Sequence, residues 1–313
     1  MAPFTEGFGP EDFGPEDLAP SRGNLLTRPG NEANGRCELF VQMSDKILSS
    51  DWASASWPDF ANDPAGVIAV LPLAATEQHG PHLPLGTDTM IAEAYLARVR
   101  ELLPATLRVL ILPVQPVGIS TEHIAFPGTL TLPADVALKS WTAIGESVAR
   151  AGIRKLVIVT SHGGNSAAMT IVAQDLRASQ SMFVVTTAWS RFGAPDGMFS
   201  QQEIRHGIHA GAIETSIMLA KYPDLVRTDE LASFTSPGIG FDYDYKWLNI
   251  TRPAPFAWAM QDLNPLGAVG DAKLATADKG IAVIDHGARA FCELLQEVDN
   301  FDLTTLLSGP AAR

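Results

Sequence analysis

The sequence predicts an α/β fold built on a mostly parallel sheet, and three observations carry that expectation. Short runs of strand length, Val67–Leu73 and Lys155–Thr160, are apolar almost throughout, as strands covered on both faces are. Stretches of helical length and period separate the strand-like runs, which is the signature of βαβ units. Two of the runs lead directly into glycine-rich segments bearing His and carboxylate side chains, and open α/β sheets bind ligands at those strand ends.

Taken in order, an N-terminal arm is expected over residues 1–40, of which 1–36 are rich in Gly, Pro, Glu and Asp and contain the near-repeat Gly-Pro-Glu-Asp-Phe-Gly-Pro-Glu-Asp-Leu. Such a segment cannot bury enough apolar surface to fold alone. It is expected to be either a disordered tail or an arm whose Phe4, Phe8, Phe13 and Leu18 dock on a neighbouring subunit. The folded domain is expected over residues 41–300, followed by a tail over 301–313. Within it the pattern predicts a strand over Val67–Leu73, a helix over Thr89–Leu103 and a strand over Arg108–Val114. A helix over Ala134–Ala151 has Pro133 near its start, where a missing N–H costs nothing. Then come a strand ending at Thr160, a helix over Ser166–Ser179, a strand over Phe183–Trp189 and a helix over Ile213–Lys221. Residues 233–265 break the rhythm with Gly, Pro and the aromatics Phe234, Phe241, Tyr243, Tyr245, Trp247, Phe256 and Trp258. A long irregular aromatic loop in a compact domain suits a lid, a binding loop or a subunit contact. Lys273–Gln296 reads as a final helix, with Ala275, Ile281, Ile284, Ala288, Phe291 and Leu295 at helical spacing.

The composition narrows the function. Across 313 residues, 22 Lys and Arg stand against 35 Asp and Glu, a net charge of −13 that opposes nucleic acid or an anionic membrane as partner. A hydrophobic fraction of 46% supports a sizeable core. The 2 cysteines, Cys37 and Cys292, lie far apart without metal-type spacing, which fits a reducing cytoplasm. No apolar stretch approaches the roughly 20 residues of a membrane helix, and no secretory signal pattern opens the chain. Dinucleotide and phosphate-loop glycine motifs and the Gly-x-Ser-x-Gly nucleophile elbow are absent from the sequence.

Three segments carry chemistry. After the first strand comes Thr76-Glu-Gln-His-Gly-Pro-His-Leu-Pro-Leu-Gly-Thr-Asp88. Alternate residues of an extended chain share a face, so Glu77 and His79 point together, and Asp88 can fold back beyond the Gly/Pro loop to share the same ions. Nitrogen and oxygen ligands without thiolate suit zinc, manganese or iron. After the second apolar run comes Ser161-His162-Gly163-Gly164-Asn165-Ser166, and further on His209-Ala-Gly-Ala-Ile-Glu214-Thr-Ser216 opens a helix. Taken singly, His162 is as well read as a capping histidine, and Glu214 as a first-turn carboxylate favoured by the helix dipole. Together the three clusters point to a metal site.

With Ser120-Thr-Glu-His-Ile-Ala-Phe-Pro-Gly-Thr-Leu-Thr-Leu132, these segments resemble the creatininase family of metal-dependent amidohydrolases over residues 45–297. The resemblance implies a three-layer α/β/α fold, two divalent metal ions and a homo-oligomer, commonly a hexamer. It also implies hydrolysis of an amide C–N bond, often in a small cyclic amide or lactam. Carried over, Glu77, Asp88 and His162 match the ligands of one ion, and His79 and Asp88 match those of the other, with Asp88 bridging. Zinc is the expected ion, with manganese or iron at one site. Creatinine-hydrolysing members add a Glu at the position of Gly164, so Glu214 is expected to complete the second ion's protein ligands. They also place a Trp shortly before the histidine matched by His209, where this chain has Gln202–Ile208 without one.

His209 matches a histidine proposed to shuttle protons, and Glu122 and His123 are expected to face the same cleft and orient substrate or water. Ions bridged by Asp88 would acidify a water and polarise the scissile carbonyl. The expected function is a cytoplasmic two-metal hydrolase of a small cyclic amide. The alternatives are a formamide hydrolase or peptidase of the same family, and a non-catalytic metal-binding oligomer.

Overall fold

The structure, a computed structural model, describes residues 50–61, 63–307 and 309. The expected N-terminal arm lies outside the described residues. Four strands form one parallel sheet: β1 (Ile68–Leu73), β2 (Val109–Ile111), β3 (Lys155–Thr160) and β4 (Phe183–Ala188), in the order β2-β1-β3-β4. All three pairings are parallel. The helices are α1 (Thr87–Leu102), α2 (Ala134–Arg150), α3 (Ser166–Gln180), α4 (Gln201–His206), α5 (Ala212–Lys221), α6 (Gly238–Asp244), α7 (Met260–Leu263) and α8 (Ala277–Asn300).

Strand alternation divides the core between the two faces. Ile68, Val70, Val157 and Val159 pack on one face with Tyr95, Leu96 and Val99 of α1, Ile217 and Met218 of α5, and Ile284 and Phe291 of α8. Ala69, Leu71, Leu73, Leu156 and Ile158 pack on the other with Trp141 and Val148 of α2 and Met169, Val172 and Leu176 of α3. Each large side chain buried this way contributes roughly 1.5–3 kcal/mol. The result is the three-layer α/β/α arrangement that the resemblance implied.

The strand order fixes where a ligand can bind. From β1 the chain enters α1 on one face; from β3 it enters α3 on the other. The two connections diverge from neighbouring strands, so a crevice opens between the carboxyl ends of β1 and β3. Asn165 closes its floor: its side-chain N–H groups donate to the Ala74 carbonyl (3.1 Å) and Thr160 Oγ1 (3.3 Å), while its oxygen accepts from the Ile119 N–H (3.0 Å).

Several boundaries differ from the sequence expectation. Helix α1 starts at Thr87, not Thr89, so Asp88 sits in the first turn of the helix rather than just before it. A carboxylate there interacts favourably with the positive helix end. Strand β2 stops at Ile111, although the Leu112 and Gln115 N–H groups beyond it still donate to the Val70 (2.8 Å) and Pro72 (2.9 Å) carbonyls of β1. The last helix begins at Ala277, not Lys273: Thr276 Oγ1 accepts the Lys279 N–H (3.2 Å) and caps it there. Residues 233–265 are also more ordered than an irregular loop. They contain α6, α7 and the short strands β5 (Ser233–Phe234), β6 (Leu248–Asn249) and β7 (Ala254–Pro255); β8 (Gly270–Asp271) pairs antiparallel with β5. Phe241, Phe256 and Trp258 pack with Phe126 and Ile208 around a small apolar cluster, whereas Tyr243 and Trp247 are exposed.

Candidate metal centre

The sequence-predicted residues meet in the crevice. Glu77 and His79 come from the segment after β1, Asp88 from α1, His162 from the turn after β3, and Glu214 from the first turn of α5. Among the described residues, two groups of three that share Asp88 have ligand atoms close enough to surround a cation: Glu77 with Asp88 and His162, and His79 with Asp88 and Glu214. Asp88 belongs to both. Its Oδ2 lies 3.6 Å from His162 Nδ1, and its Oδ1 lies 3.8 Å from His79 Nε2. One oxygen therefore faces each group, as a bridging carboxylate requires. Glu214 Oε2 lies 3.9 Å from His79 Nε2 and also accepts the Ala210 N–H (2.6 Å).

The histidines are oriented by the main chain. His79 Nδ1 donates to the Glu77 carbonyl (3.0 Å), leaving Nε2 toward Asp88 and Glu214. His162 Nε2 donates to the Ile119 carbonyl (2.7 Å), leaving Nδ1 3.1 Å from Glu77 Oε1. His209 Nε2 donates to the Gln78 carbonyl (2.8 Å), leaving Nδ1 3.8 Å from the same oxygen. A histidine that ligates a metal commonly spends its second nitrogen in this way, which fixes the tautomer. Both oxygens of Glu77, His79 Nε2 and Asp88 Oδ2 are buried without a hydrogen-bond partner. Converging buried polar atoms that bond to nothing in the chain are costly unless a cation satisfies them. The residues present fit a pair of divalent ions.

The electrostatics agree. Burial would raise the Glu77 carboxyl, yet His162, His209 and His123 around it hold it well below the usual carboxylate range. Burial would lower His79 and His162, but the carboxylates overcome it and lift them to about 9 and about 10. Burial lifts Glu214 to about 7 and, with Glu77 close by, pushes Asp88 up. A proton and a cation compete for these lone pairs. Metal affinity is therefore expected to rise with pH from 7 to 9, with protons released on binding. Calorimetry in two buffers of different ionisation enthalpy measures this; pH-independent affinity without proton release would argue against these ligands.

The remaining predicted residues also line the crevice. His123 Nε2 lies 3.3 Å from Glu77 Oε1, and its Nδ1 is 2.7 Å from Gln78 Nε2; burial lowers its pKa to about 4. Glu122 Oε1 lies 3.6 Å from His162 Nε2, at the more open edge of the site. A Cβ at Gly164 would run into His162, the Ile119 carbonyl and Glu122, so Glu122 fills the space where a side chain at 164 would start. His209, matched to a proton shuttle, lies buried in the same crevice. Burial first, then His79 and His123, hold its pKa well below 6.5, so it rests as a neutral imidazole. With Glu77 and His79 it also forms a third possible ligand group.

Sequence reasoning passed over Gln78, which lies between the two motif residues yet holds two site histidines: its side-chain N–H₂ donates to His123 Nδ1 (2.7 Å) and its main-chain carbonyl accepts from His209 Nε2 (2.8 Å). It also passed over Asn165, although that residue stands inside the quoted His-Gly-Gly-Asn segment.

A parallel sheet whose switch-point crevice gathers oriented histidines and shared carboxylates is the kind of centre that metal-dependent hydrolases use. The creatininase family model, described as creatinine amidohydrolase, matches residues 53–295, and the chain belongs to that family of amidohydrolases acting on C–N bonds. The mycofactocin precursor peptide peptidase of Mycobacterium ulcerans (strain Agy99) is 30% identical over 254 residues, covering 80% of this chain and 86% of that protein. Creatinine amidohydrolase of Pseudomonas putida is 28% identical over 248 residues, covering 74% and 89%. Among solved structures, a creatinine amidohydrolase superposes with a TM-score of 0.65 at 23% identity, covering 82% of this chain and all (100%) of that one. A Zn–Zn form of an E122Q creatininase mutant gives 0.62 at 25% identity, covering 80% and 98%. No helix among the described residues is long and apolar enough to cross a membrane.

Proposed function

We propose that this chain uses two divalent ions, zinc or manganese, to hydrolyse an amide bond in a peptide substrate. The observation that carries the metal-dependent part is the shared pair of ligand groups: each oxygen of Asp88 faces a different histidine, and each of those histidines is tied to a main-chain carbonyl. Glu77, Asp88 and His162 would hold one ion; His79, Asp88 and Glu214 would hold the other. Bound there, the ions supply Lewis acidity and an acidified water. His209, neutral and with Nδ1 turned into the site, takes a proton and returns it to the leaving nitrogen. His123 buttresses Glu77, and Glu122 at the open edge orients the substrate.

Two considerations favour a peptide over a small cyclic amide. The relatives at 30–33% identity act on a peptide precursor. The chain also has Gly164 and no Trp in Gln202–Ile208, where creatinine-hydrolysing members are expected to carry a Glu and a Trp. The test is elemental analysis of the purified protein followed by turnover of short peptides, creatinine and formamides, with and without chelator. Chelator-sensitive peptide cleavage with the ions retained is the expected result. Turnover of creatinine in preference to every peptide would overturn the substrate class, and chelator-resistant turnover would overturn the mechanism.

A further inference from the structure

Glu203, on α4, is a buried carboxylate that the chemistry above does not use. Its two oxygens reach two different segments. Oε1 accepts the N–H of Ala212, the first residue of α5 (2.6 Å), and Oε2 accepts the N–H of Asp271 in β8 (2.9 Å). No cationic side chain among the described residues forms a salt bridge with it. Around it the chain is carved to fit: a Cβ at Gly207, Gly211 or Gly270 would come closer than 3.0 Å to Oε1.

The two segments that Glu203 ties together flank the site. Ala212 lies two residues before Glu214 and three after His209. Val269, one residue before β8, exchanges main-chain hydrogen bonds with His209: its N–H donates to the His209 carbonyl (2.8 Å) and its carbonyl accepts from the His209 N–H (3.4 Å). Anchoring α5 and β8 to one carboxylate therefore fixes the 209–214 stretch at two points, directly at Ala212 and, through the segment paired with it, at His209. None of these bonds touches Glu77, Asp88 or His162.

We infer that Glu203 is a positioning residue: its bridge between the Ala212 and Asp271 amides sets the entry of α5 and places Glu214 for the second ion. The inference rests on the two-ion reading given above. Removing a group that orients a ligand commonly costs on the order of 10–100-fold in metal affinity. That loss should be confined to the second ion, because the first ion's ligands are held by β1, α1 and β3.

The test is ion stoichiometry and affinity by equilibrium dialysis against zinc in four proteins. These are the unsubstituted chain, Glu203→Gln, Gly211→Ala and Glu214→Gln, the last giving the reference loss for a direct ligand. In Glu203→Gln an amide N–H₂ must face one of the two backbone donors. Gly211→Ala keeps the carboxylate but drives a methyl group into its socket, so it serves if the first variant fails to fold. The expected result is an unchanged first ion with the second weakened at least tenfold in both variants. Both ions retained at full affinity, or both lost together, would overturn the positioning role. A single ion in the unsubstituted chain would instead overturn the two-ion reading itself.

Discussion

Asp88→Asn is expected to release both ions and abolish chelator-sensitive turnover while leaving the fold intact. Asp88 is buried, and its two oxygens face His162 Nδ1 and His79 Nε2 at 3.6 and 3.8 Å. An amide offers one neutral oxygen in place of two sharing a charge, so at most one group keeps a ligand from this position. Less negative charge also remains to offset the repulsion of two close cations. Lewis-acid stabilisation is worth several kcal/mol, so turnover should fall by about 10³-fold or more.

Stability separates this from misfolding. A ligand that binds only the folded state raises Tm by mass action, so added zinc should raise Tm in the unsubstituted chain and not in Asp88→Asn. Without added metal the variant should remain folded, because Asp88 lies outside the two apolar clusters that pack the sheet. Full occupancy of both sites in purified Asp88→Asn would refute the bridge.

His209→Ala should leave both ions bound and lower kcat by on the order of 10²–10⁴-fold, the usual range for positioned proton transfer. The loss should shrink for a substrate with a good leaving group, such as an activated anilide, which needs less protonation to depart. The resting state of this histidine adds a second signature. Burial and the neighbouring His79 and His123 keep it neutral near pH 7, so it acts by taking a proton and handing it on. No acid limb at the ordinary imidazole value near 6.5 should therefore be traceable to it. Loss of an ion in His209→Ala would place it among the ligands with Glu77 and His79 instead. An equal loss on poor and good leaving groups, with ions retained, would leave substrate positioning as its role.

Much of this was readable from residue order, and the reasons are local. Strands β1 and β3 announce themselves because a strand covered by helices on both faces must be apolar at nearly every position. The Glu-x-His pair is readable because alternate residues of an extended chain share a side. Glu77 and His79 do face one site, and Asp88, His162 and Glu214 join them there. What failed locally failed at ends. The pattern starts the helix at Thr89, two residues late, because the Gly/Pro-rich stretch before it hides the start of α1. Lys273 was expected in a helix because apolar spacing continues through it, while the cap that sets the true start is Thr276.

The sequence by itself determined the alternation of strands and helices and the candidate ligand residues, and its motifs carried the family resemblance, since apolar periodicity and side-chain identity are local. Only the tertiary structure decided which nitrogen of each histidine is free to ligate, because that is set by the carbonyls of Glu77, Ile119 and Gln78, and the last two are distant along the chain from the rings they bind. It alone decided that Asp88 spans two groups and that Glu122 fills the space beside Gly164. It also revealed Glu203, an ordinary-looking residue of a short helix, as the anchor of α5 and β8. Those facts arise where strands and helices remote in sequence converge at a switch point, and no periodicity within one segment encodes the meeting of two.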